Sequence, residues 1–269
     1  MSQPVLELQN ITKNFDQQTI LNHLSLSVKE GEVVVILGPS GCGKSTLLRC
    51  INKLESIQEG DILLDGQSIL SGTLSLQDIR QKIGMVFQDY ELFPHMDVLQ
   101  NLTLAPVKAL KRKKEEVQAE AETLLKRVGL EHKKHSYARE LSGGQKQRVA
   151  IIRSLLMHPE ILLFDEVTAP LDPEMVREVL VLINDLAKEG RTMLIVTHEM
   201  EFARAIADRI IFMDKGEIIE ENTVYQFIAI IFSRKPVSYF VQFIYPAKVI
   251  AYCASVKIAP TANSVFSSK

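Results

Sequence analysis

The chain has 269 residues, 46% of them hydrophobic, and a formal net charge of −2, so it can bury a substantial core in one large domain or in one domain with an insertion. Its three cysteines have no metal-ligand spacing, which favours a reducing cytosol over a disulfide framework. The start, MSQPVLELQN, lacks a secretory pattern, and no uncharged apolar stretch reaches the roughly eighteen residues of a membrane helix.

The first part of the chain predicts strands of two kinds. Residues 6–8 and 24–28 alternate apolar and polar side chains, which is typical of strands with one buried face. We therefore expect an antiparallel β layer at the N-terminus. Residues 33–37 are a continuous apolar run and predict a strand covered on both faces. A helix is predicted over residues 45–54, and a short strand over residues 60–66.

The chain then alternates helices with strands. Residues 107–134 combine charged residues with an apolar stripe and predict one long amphipathic helix with a solvated charged face. Strands are predicted over residues 161–164 and 193–196, with a helix over residues 173–188 between them. This alternation predicts a mainly parallel sheet, whose ligands bind at the carboxyl ends of its strands.

A phosphate-binding loop, GPSGCGKST, directly follows the strand predicted at residues 33–37. Its glycines let the backbone curl so that N–H groups point at phosphate oxygens. Lys44 supplies a point charge for the β- and γ-phosphates, and Ser45 a hydroxyl for Mg²⁺. The residues predicted to bind nucleotide here are Gly38, Pro39, Ser40, Gly41, Cys42, Gly43, Lys44, Ser45 and Thr46.

Two carboxylates end the apolar run at residues 161–164. An acidic pair at the end of a buried strand is costly unless it meets a cation or a hydrogen-bonding partner, and Mg²⁺-ATP is such a partner. We expect Asp165 to hold the metal, directly or through water, and Glu166 to polarise the attacking water. Without the preceding phosphate loop, the same pattern would often be an ordinary strand end.

Three further side chains are candidates for the same site. Gln88 follows a short apolar run and could contribute an amide to Mg²⁺ and the water, although a lone glutamine there is usually a surface residue. His198 follows the last predicted strand and could donate to the γ-phosphate. Phe15 could stack on adenine, although an N-terminal Phe is more often in the core. His132 and His135 lie in a Lys-rich helical end, which favours a solvated face over a metal site.

The sequence LSGGQ at residues 141–145 is a second Gly-Gly turn, and it opens a predicted helix. Such a turn offers another set of backbone N–H groups to phosphate. A phosphate loop alone would leave kinases, GTPases and helicases open. The two loops together narrow the choice among these classes of nucleotide-binding protein.

The phosphate loop, Gln88, LSGGQ, the Asp-Glu strand end, Asp172 and His198 occur in the order of ATP-binding cassette (ABC) transporter ATPases, which the chain resembles over residues 5–221. The segments FQDYELFPHMDVLQNLTLAP and LIVTHEMEFARAIADRIIFMDKGEIIE are most similar to the bacterial polar amino acid importers. The resemblance implies an α/β fold in which a P-loop NTPase parallel-sheet core carries an N-terminal antiparallel β layer. A helical subdomain would be inserted at about residues 90–158.

The resemblance also implies that two copies dimerise head to tail, with each ATP held by one copy's phosphate loop and the other's LSGGQ. Ser142 and Gly144 would donate to the γ-phosphate, and Asp172 would lie in a loop that crosses between the sites. The segment after Gln88 would contact integral membrane permease subunits, with an amino acid binding protein as an indirect partner and no nucleic acid. The chain would lie peripherally at the cytoplasmic face of the inner membrane. The residues implied to bind ATP from the second loop are Ser142, Gly143, Gly144 and Gln145.

Two features depart from the family. Pro170 fixes φ and removes an N–H from the loop after Glu166, so we expect activity with altered coupling. After residue 221 the chain has no acidic residue but five basic ones, so residues 222–269 form an acid-free tail that follows a domain of residues 1–221. The tail is either an eroded end, which we favour, or a membrane-surface or permease contact.

Two other functions remain open on the sequence. One is a soluble ABC ATPase that acts on nucleic acid or ribosomes as a regulator. Such proteins usually carry two cassettes or a long coiled coil, and this chain has neither. The other is a nucleotide-binding scaffold with little hydrolysis, if Pro170 and the tail prevent dimerisation. The presence of Glu166 and His198 argues against the scaffold.

Overall fold

The computed structural model describes residues 3–223, so the predicted tail lies outside the described residues from residue 224 onward. Within this range the chain forms two sheets and seven α-helices. The strands are β1 (Leu6–Phe15), β2 (Gln18–Val28), β3 (Val33–Leu37), β4 (Glu59–Leu64), β5 (Gln67–Ser68), β6 (Ile83–Val86), β7 (Ile161–Asp165), β8 (Thr192–Val196), β9 (Arg209–Asp214) and β10 (Glu217–Thr223). The helices are α1 (Lys44–Ile51), α2 (Leu76–Lys82), α3 (Val98–Lys108), α4 (Lys114–Arg127), α5 (Gly143–Leu155), α6 (Pro173–Lys188) and α7 (Met200–Ile206).

The N-terminal sheet has the strand order β2-β1-β4-β5, and its neighbouring strands are antiparallel. The alternating side chains that predicted this layer bury Leu6 and Leu8 on β1 and Leu24 and Leu26 on β2, all 4% exposed or less. These residues join one hydrophobic core with side chains of the central sheet and of α1. The predicted antiparallel layer is therefore confirmed.

The central sheet has the order β10-β9-β3-β8-β7-β6 and is parallel except for the β9–β10 hairpin. Every residue of β3, β7 and β8 is buried, because these strands lie inside the sheet and both of their faces are covered. Their carboxyl ends, at Leu37, Asp165 and Val196, meet at one edge of the sheet. This edge carries the predicted chemistry.

The turn between β9 and β10 packs against the phosphate loop. The N–H of Gly216 donates to the carbonyl oxygen of Cys42 at 3.1 Å. A side chain at Gly216 would clash with the carbonyl of Ile20, and one at Gly38 would clash with the carbonyl of Met213. The loop is therefore shaped by backbone that comes from far along the chain.

The segment between β6 and β7 is helical in the described structure, but the single helix predicted over residues 107–134 is wrong. Within that range only the last two residues of α3 and the whole of α4 are α-helical, and five residues separate the two helices. Arg112 in this break donates to the carbonyl of Leu156 at 3.0 Å and pairs with Glu120, and these tertiary contacts hold a turn that apolar periodicity does not reveal. The start of α3 does have a sequence signal, since Asp97 and Gln100 form a reciprocal capping box.

Other predicted boundaries differ less. Helix α6 has the predicted bounds, α1 ends three residues earlier than predicted, and β4 covers the predicted short strand. Strand β10 continues through Asn222 and Thr223, two residues past the expected domain boundary. In residues 3–223 no helix combines the length and apolar content needed to cross a membrane.

Candidate functional site

The phosphate loop curls between β3 and α1. Its Gly38 and Gly43 have φ angles of 152° and 104°, which a residue with a side chain rarely adopts. Lys44 is 4% exposed, and its Nζ donates to the carbonyls of Gly38 at 3.0 Å and Pro39 at 2.8 Å. Gly43 caps α1 without a side chain, so the first N–H groups of the helix stay open to an anion.

Asp165 and Ser45 meet at the end of β7. The Ser45 hydroxyl donates to Asp165 Oδ1 at 2.7 Å, and Asp165 is 4% exposed. Burial raises the pKa of the Asp165 carboxyl above its ordinary value, and the hydrogen bond from Ser45 opposes this rise only in part. In residues 3–223 no ion pair neutralises this carboxylate. A hydroxyl and a buried carboxylate are oxygen ligands of the kind that Mg²⁺ prefers, so the pair fits this cation.

Glu166 follows in a left-handed backbone conformation with a φ of 47°, which is unfavourable for a residue with a side chain and is common at functional sites. Its N–H donates to the carbonyl of Val196 at 3.0 Å, which holds it between two strand ends. Its Oε1 lies 3.0 Å from His198 Nε2 and 3.8 Å from Lys44 Nζ. The turn therefore places one carboxylate oxygen between the lysine and the histidine.

The predicted residues converge unequally on this edge. Lys44, Ser45, Asp165, Glu166 and His198 form one connected group, which we call the strand-edge group. His198 keeps its side chain 54% exposed, so it can still reach a ligand. Gln88 lies two residues past the end of β6 and is exposed. In the described part of the chain it joins none of the hydrogen bonds of this group.

The remaining residues of the phosphate loop occupy different surroundings. Cys42 is 6% exposed, in agreement with a small spacer, and burial raises the pKa of its thiol. Ser40 and Gly41 are exposed, and Thr46 is half-buried on α1. Solvent therefore reaches the loop at Ser40 and Gly41, whereas Cys42 is closed off.

Phe15 lies at the end of β1 and is 44% exposed, so it is not a core residue. The Nζ of Lys13 lies 4.4 Å from the centroid of its ring. Ile20, just after the hairpin turn, lies against Gly43 of the phosphate loop. An exposed aromatic ring of this kind fits a flat ligand such as a base.

The second loop, at residues 142–145, opens α5. Ser142 and Gln145 form a reciprocal capping box: the Ser142 hydroxyl accepts from the N–H of Gln145 at 3.3 Å, and the Gln145 side chain accepts from the N–H of Ser142 at 3.0 Å. The N–H of Gly144 donates to Met175 Sδ at 3.4 Å. A side chain at Gly143 would come within 3.0 Å of Leu171. The loop thus packs against the residues that surround Asp172.

Asp172 is exposed and caps α6 without a side-chain hydrogen bond. In residues 3–223 no hydrogen bond joins the second loop to the strand-edge group. The chain therefore holds two separate loops that are candidates for binding phosphate.

Sequence reasoning missed the neighbours that hold these groups. Met175 and Leu171 pack under the second loop, Lys13 lies over Phe15, and Tyr90 lies beside Gly143. Met175 follows Asp172 by three residues, and this spacing is the one sequence signal that could have predicted its place near the second loop. Such a prediction would still have required the position of the second loop.

The chain is similar to known proteins. The family model described as ABC transporter matches residues 21–169. The glutamine transport ATP-binding protein GlnQ of Bacillus subtilis is 51% identical over 225 residues, which are 84% of this chain and 93% of that protein. The glutamate/aspartate import ATP-binding protein GltL of Escherichia coli is 50% identical over 218 residues, 81% of this chain and 90% of that protein.

A solved structure is also similar. It is a dimeric, post-hydrolysis ATP-binding cassette bound to ADP and Pi; it shares 35% sequence identity with this chain, and the TM-score is 0.74 over 81% of this chain and 98% of that one. The chain therefore belongs to the ABC transporter family and has the fold of its ATP-binding cassettes.

Proposed function

We propose that this ABC ATPase is the energy-coupling subunit of an importer for polar amino acids, and that it works as a head-to-tail pair of identical chains. The relatives named for glutamine and for glutamate/aspartate transport support this substrate class. The observation that carries the ATPase assignment is the strand-edge group, in which one lysine, two carboxylates and one histidine meet beside a phosphate loop.

Lys44 and the open N–H groups of α1 would bind the β- and γ-phosphates. Phosphate oxygens would replace the two carbonyls that Lys44 now contacts. Phe15 would stack on adenine, since its ring is exposed and β2, which pairs with β1, contacts the loop through Ile20. Binding thus uses backbone and side chains that are already in place, which keeps the entropic cost of ordering low.

Mg²⁺ would be held by Ser45 and Asp165, with Gln88 as a further oxygen ligand. When bound, the metal would offset the negative charge of the phosphates. The pairing of a hydroxyl with a buried carboxylate supports this assignment. Exposed Gln88 would have to turn towards the site when nucleotide binds.

Glu166 would orient the attacking water, and His198 would hold the γ-phosphate by a hydrogen bond. The 3.0 Å contact between them supports a shared task, because the histidine holds the carboxylate oxygen in a fixed position. The Nζ of Lys44 lies 3.8 Å from the same oxygen, so a positive charge also faces this carboxylate. Phosphoryl transfer needs this kind of positioning more than it needs covalent chemistry.

The second loop would complete the site of another copy. Its donors do not reach the strand-edge group of their own chain, which supports a pairing in which two copies exchange them. A two-fold pair then contains two equivalent sites. Asp172, exposed beside the second loop, would lie where the two copies meet.

A permease would dock on the groove between the helical insertion and the sheet. This groove encloses about 730 Å³ and exposes Leu54 and Phe93, which are 42% and 41% accessible. It also reaches Glu91, three residues after Gln88. Residues 90–158 would form the inserted subdomain, and the protein would be peripheral at the cytoplasmic face of the inner membrane, with an amino acid binding protein as an indirect partner.

The proposal is tested on the purified full chain. Because two copies form each site, the rate of MgATP hydrolysis per chain should rise with protein concentration. From membranes, the chain should co-purify with an integral membrane permease. A rate that is independent of concentration would contradict the paired site, and membranes that yield the chain without any permease would contradict the importer.

A further inference from the structure

The loop after Gln88 has an unfavourable backbone conformation at two consecutive residues. Tyr90 and Glu91 have φ angles of 62° and 49°, although neither is glycine. Isolated left-handed residues occur in turns, but two in succession with ordinary side chains need support from elsewhere in the structure. The turn itself supplies one bond, from the N–H of Glu91 to the carbonyl of Asp89.

Arg153 of α5 supplies that support. Its Nη2 donates to the carbonyl of Tyr90 at 3.0 Å, and its Nη1 to the carbonyl of Glu91 at 2.5 Å. A guanidinium presents two parallel donors in a rigid fork, so one side chain can bind both carbonyls. Its centre also lies 6.0 Å from the ring centroid of Phe93. Burial lowers the pKa of Arg153, a sign that this fork has given up water for these contacts.

The same helix holds the other side of Gln88. Gln147 is fully buried, and its Nε2 donates to the carbonyl of Phe87 at 3.3 Å. Donors from α5 therefore bracket Gln88, with one contact at the preceding residue and two at the turn that follows. In the described residues the side chain of Gln88 makes no hydrogen bond to this scaffold, so its direction depends on the backbone between these contacts.

We infer that Arg153 is a positioning residue for Gln88: it holds Tyr90 and Glu91 in the left-handed conformation, and this fixes the backbone from which exposed Gln88 would turn towards the strand-edge group. This inference deepens the proposed function and rests on it. Helix α5 begins at the second loop, so the helix that would contact one ATP in the pair also fixes the glutamine that serves the other. Movement of α5 would move both.

The test uses substitutions at both ends of the contact. Arg153→Ala should lower kcat for MgATP about tenfold while the KM stays within about twofold, because the phosphate loop is untouched. Adding Glu91→Asn to Arg153→Ala should raise kcat about threefold or more above that of Arg153→Ala alone, since asparagine tolerates the left-handed conformation better than glutamate does. Arg153→Lys keeps the charge but offers no fork, so a loss of about threefold is expected.

Arg148→Ala is the matched control. Arg148 lies on the same helix, donates to the carbonyls of Val128 at 2.7 Å and Gly144 at 3.4 Å, and pairs with Glu178 at 2.9 Å. Within residues 3–223 it shares no hydrogen bond with the loop that follows Gln88. Hydrogen–deuterium exchange without nucleotide should rise at residues 89–92 in Arg153→Ala and not in Arg148→Ala. Glu91→Asn should not improve kcat in the Arg148→Ala background.

The outcomes separate the inference from the function on which it rests. If the parental chain does not hydrolyse MgATP, the proposed function fails. If the parental chain does hydrolyse MgATP, either of two results contradicts the positioning role. One is a parental kcat in Arg153→Ala, and the other is a Glu91→Asn change that rescues neither kcat nor hydrogen–deuterium exchange. Should Arg153→Ala not fold, Arg153→Lys with and without Glu91→Asn decides the question by the same two measurements.

Discussion

The strand-edge group and the second loop would bind the same phosphates with different means. At the strand edge, charged side chains contact one another: Lys44 and His198 share Glu166, and Ser45 binds Asp165. At the second loop the donors are backbone N–H groups of a helix start, and α5 has no acidic residue in its first turn. In the proposed pair the first region would orient and activate the attacking water, whereas the second would only add donors to the phosphates. Each would complement the other across the pair, since in residues 3–223 no hydrogen bond joins them within one chain.

The largest effect should come from the strand edge. Glu166→Gln keeps the size of the side chain and removes the negative charge that would orient the attacking water, so we expect kcat to fall about 10²- to 10³-fold. ATP binding should be unchanged, because Lys44 and the loop backbone remain. Single-turnover hydrolysis and equilibrium ATP binding measure the two effects separately. Hydrolysis at the parental rate would falsify the role of Glu166.

A mixture of two inactive variants tests whether the regions belong to different copies. Lys44→Ala damages the strand edge, and Gly144→Ala brings a side chain within 2.9 Å of Met175 and distorts the second loop. Each alone should lose tenfold or more of the rate. In an equal mixture half of the pairs are mixed and each has one intact site, so roughly a quarter of the parental rate should return.

The matched control is an equal mixture of Lys44→Ala chains and Glu166→Gln chains. Both changes lie in the strand-edge group, so no mixed pair has an intact site. Recovery in neither mixture would mean that one chain supplies both regions to its own ATP.

The strand edge should also destabilise the nucleotide-free protein. Folding raises the pKa of Asp165 because the carboxylate is buried. This group therefore lowers the free energy of unfolding as its carboxyl ionises. The loss begins at the unfolded pKa, about 3.9, and grows until the pH passes the raised folded value. Asp165→Asn removes the buried charge and should stabilise the nucleotide-free protein by about 1 kcal/mol at neutral pH while abolishing hydrolysis. Thermal unfolding at about pH 4.5 and pH 7.5 should show the gain growing with pH. An equal gain at both values would point to packing rather than charge.

The smallest effect should come from Pro170, beside the second loop. The turn after Glu166 closes through the N–H groups of Ala169, at 2.9 Å, and Leu171, at 3.1 Å, so it does not depend on an N–H at Pro170. Pro170→Ala should therefore change the hydrolysis rate of the isolated chain by less than about twofold. If coupling is altered, the change will appear in substrate transport by the complex with the permease. A rate several times higher in the isolated chain would show that Pro170 restrains the loop.

The sequence predicted the strands and the phosphate loop correctly where a residue pattern is compatible with few structures. The continuous apolar runs predicted β3, β7 and β8, the fold class and the ABC family are confirmed, and so is the similarity to amino acid transporters. The glycines and Lys44 located the phosphate loop, because few other structures require that spacing. These features depend on local chemistry, which can be read without coordinates.

Features that depend on distant contacts could not be predicted. The break between α3 and α4 is held by the contact of Arg112 with Leu156, forty-four residues away. The left-handed φ of Glu166 is set by a bond to Val196, and the bracket around Gln88 is supplied by Gln147 and Arg153. In each case a common side chain gains its role only from the backbone that the fold brings to it.

The β9–β10 turn bears on how far the chain can be shortened. The matched family segment ends at residue 169, and His198 is the last predicted site residue. Even so, the phosphate loop is shaped by the carbonyl of Met213 and by the N–H of Gly216. A fragment cut after His198 would keep every reactive side chain and lose the surface that gives the loop its shape. The shortest working fragment of this protein must therefore extend at least through Gly216.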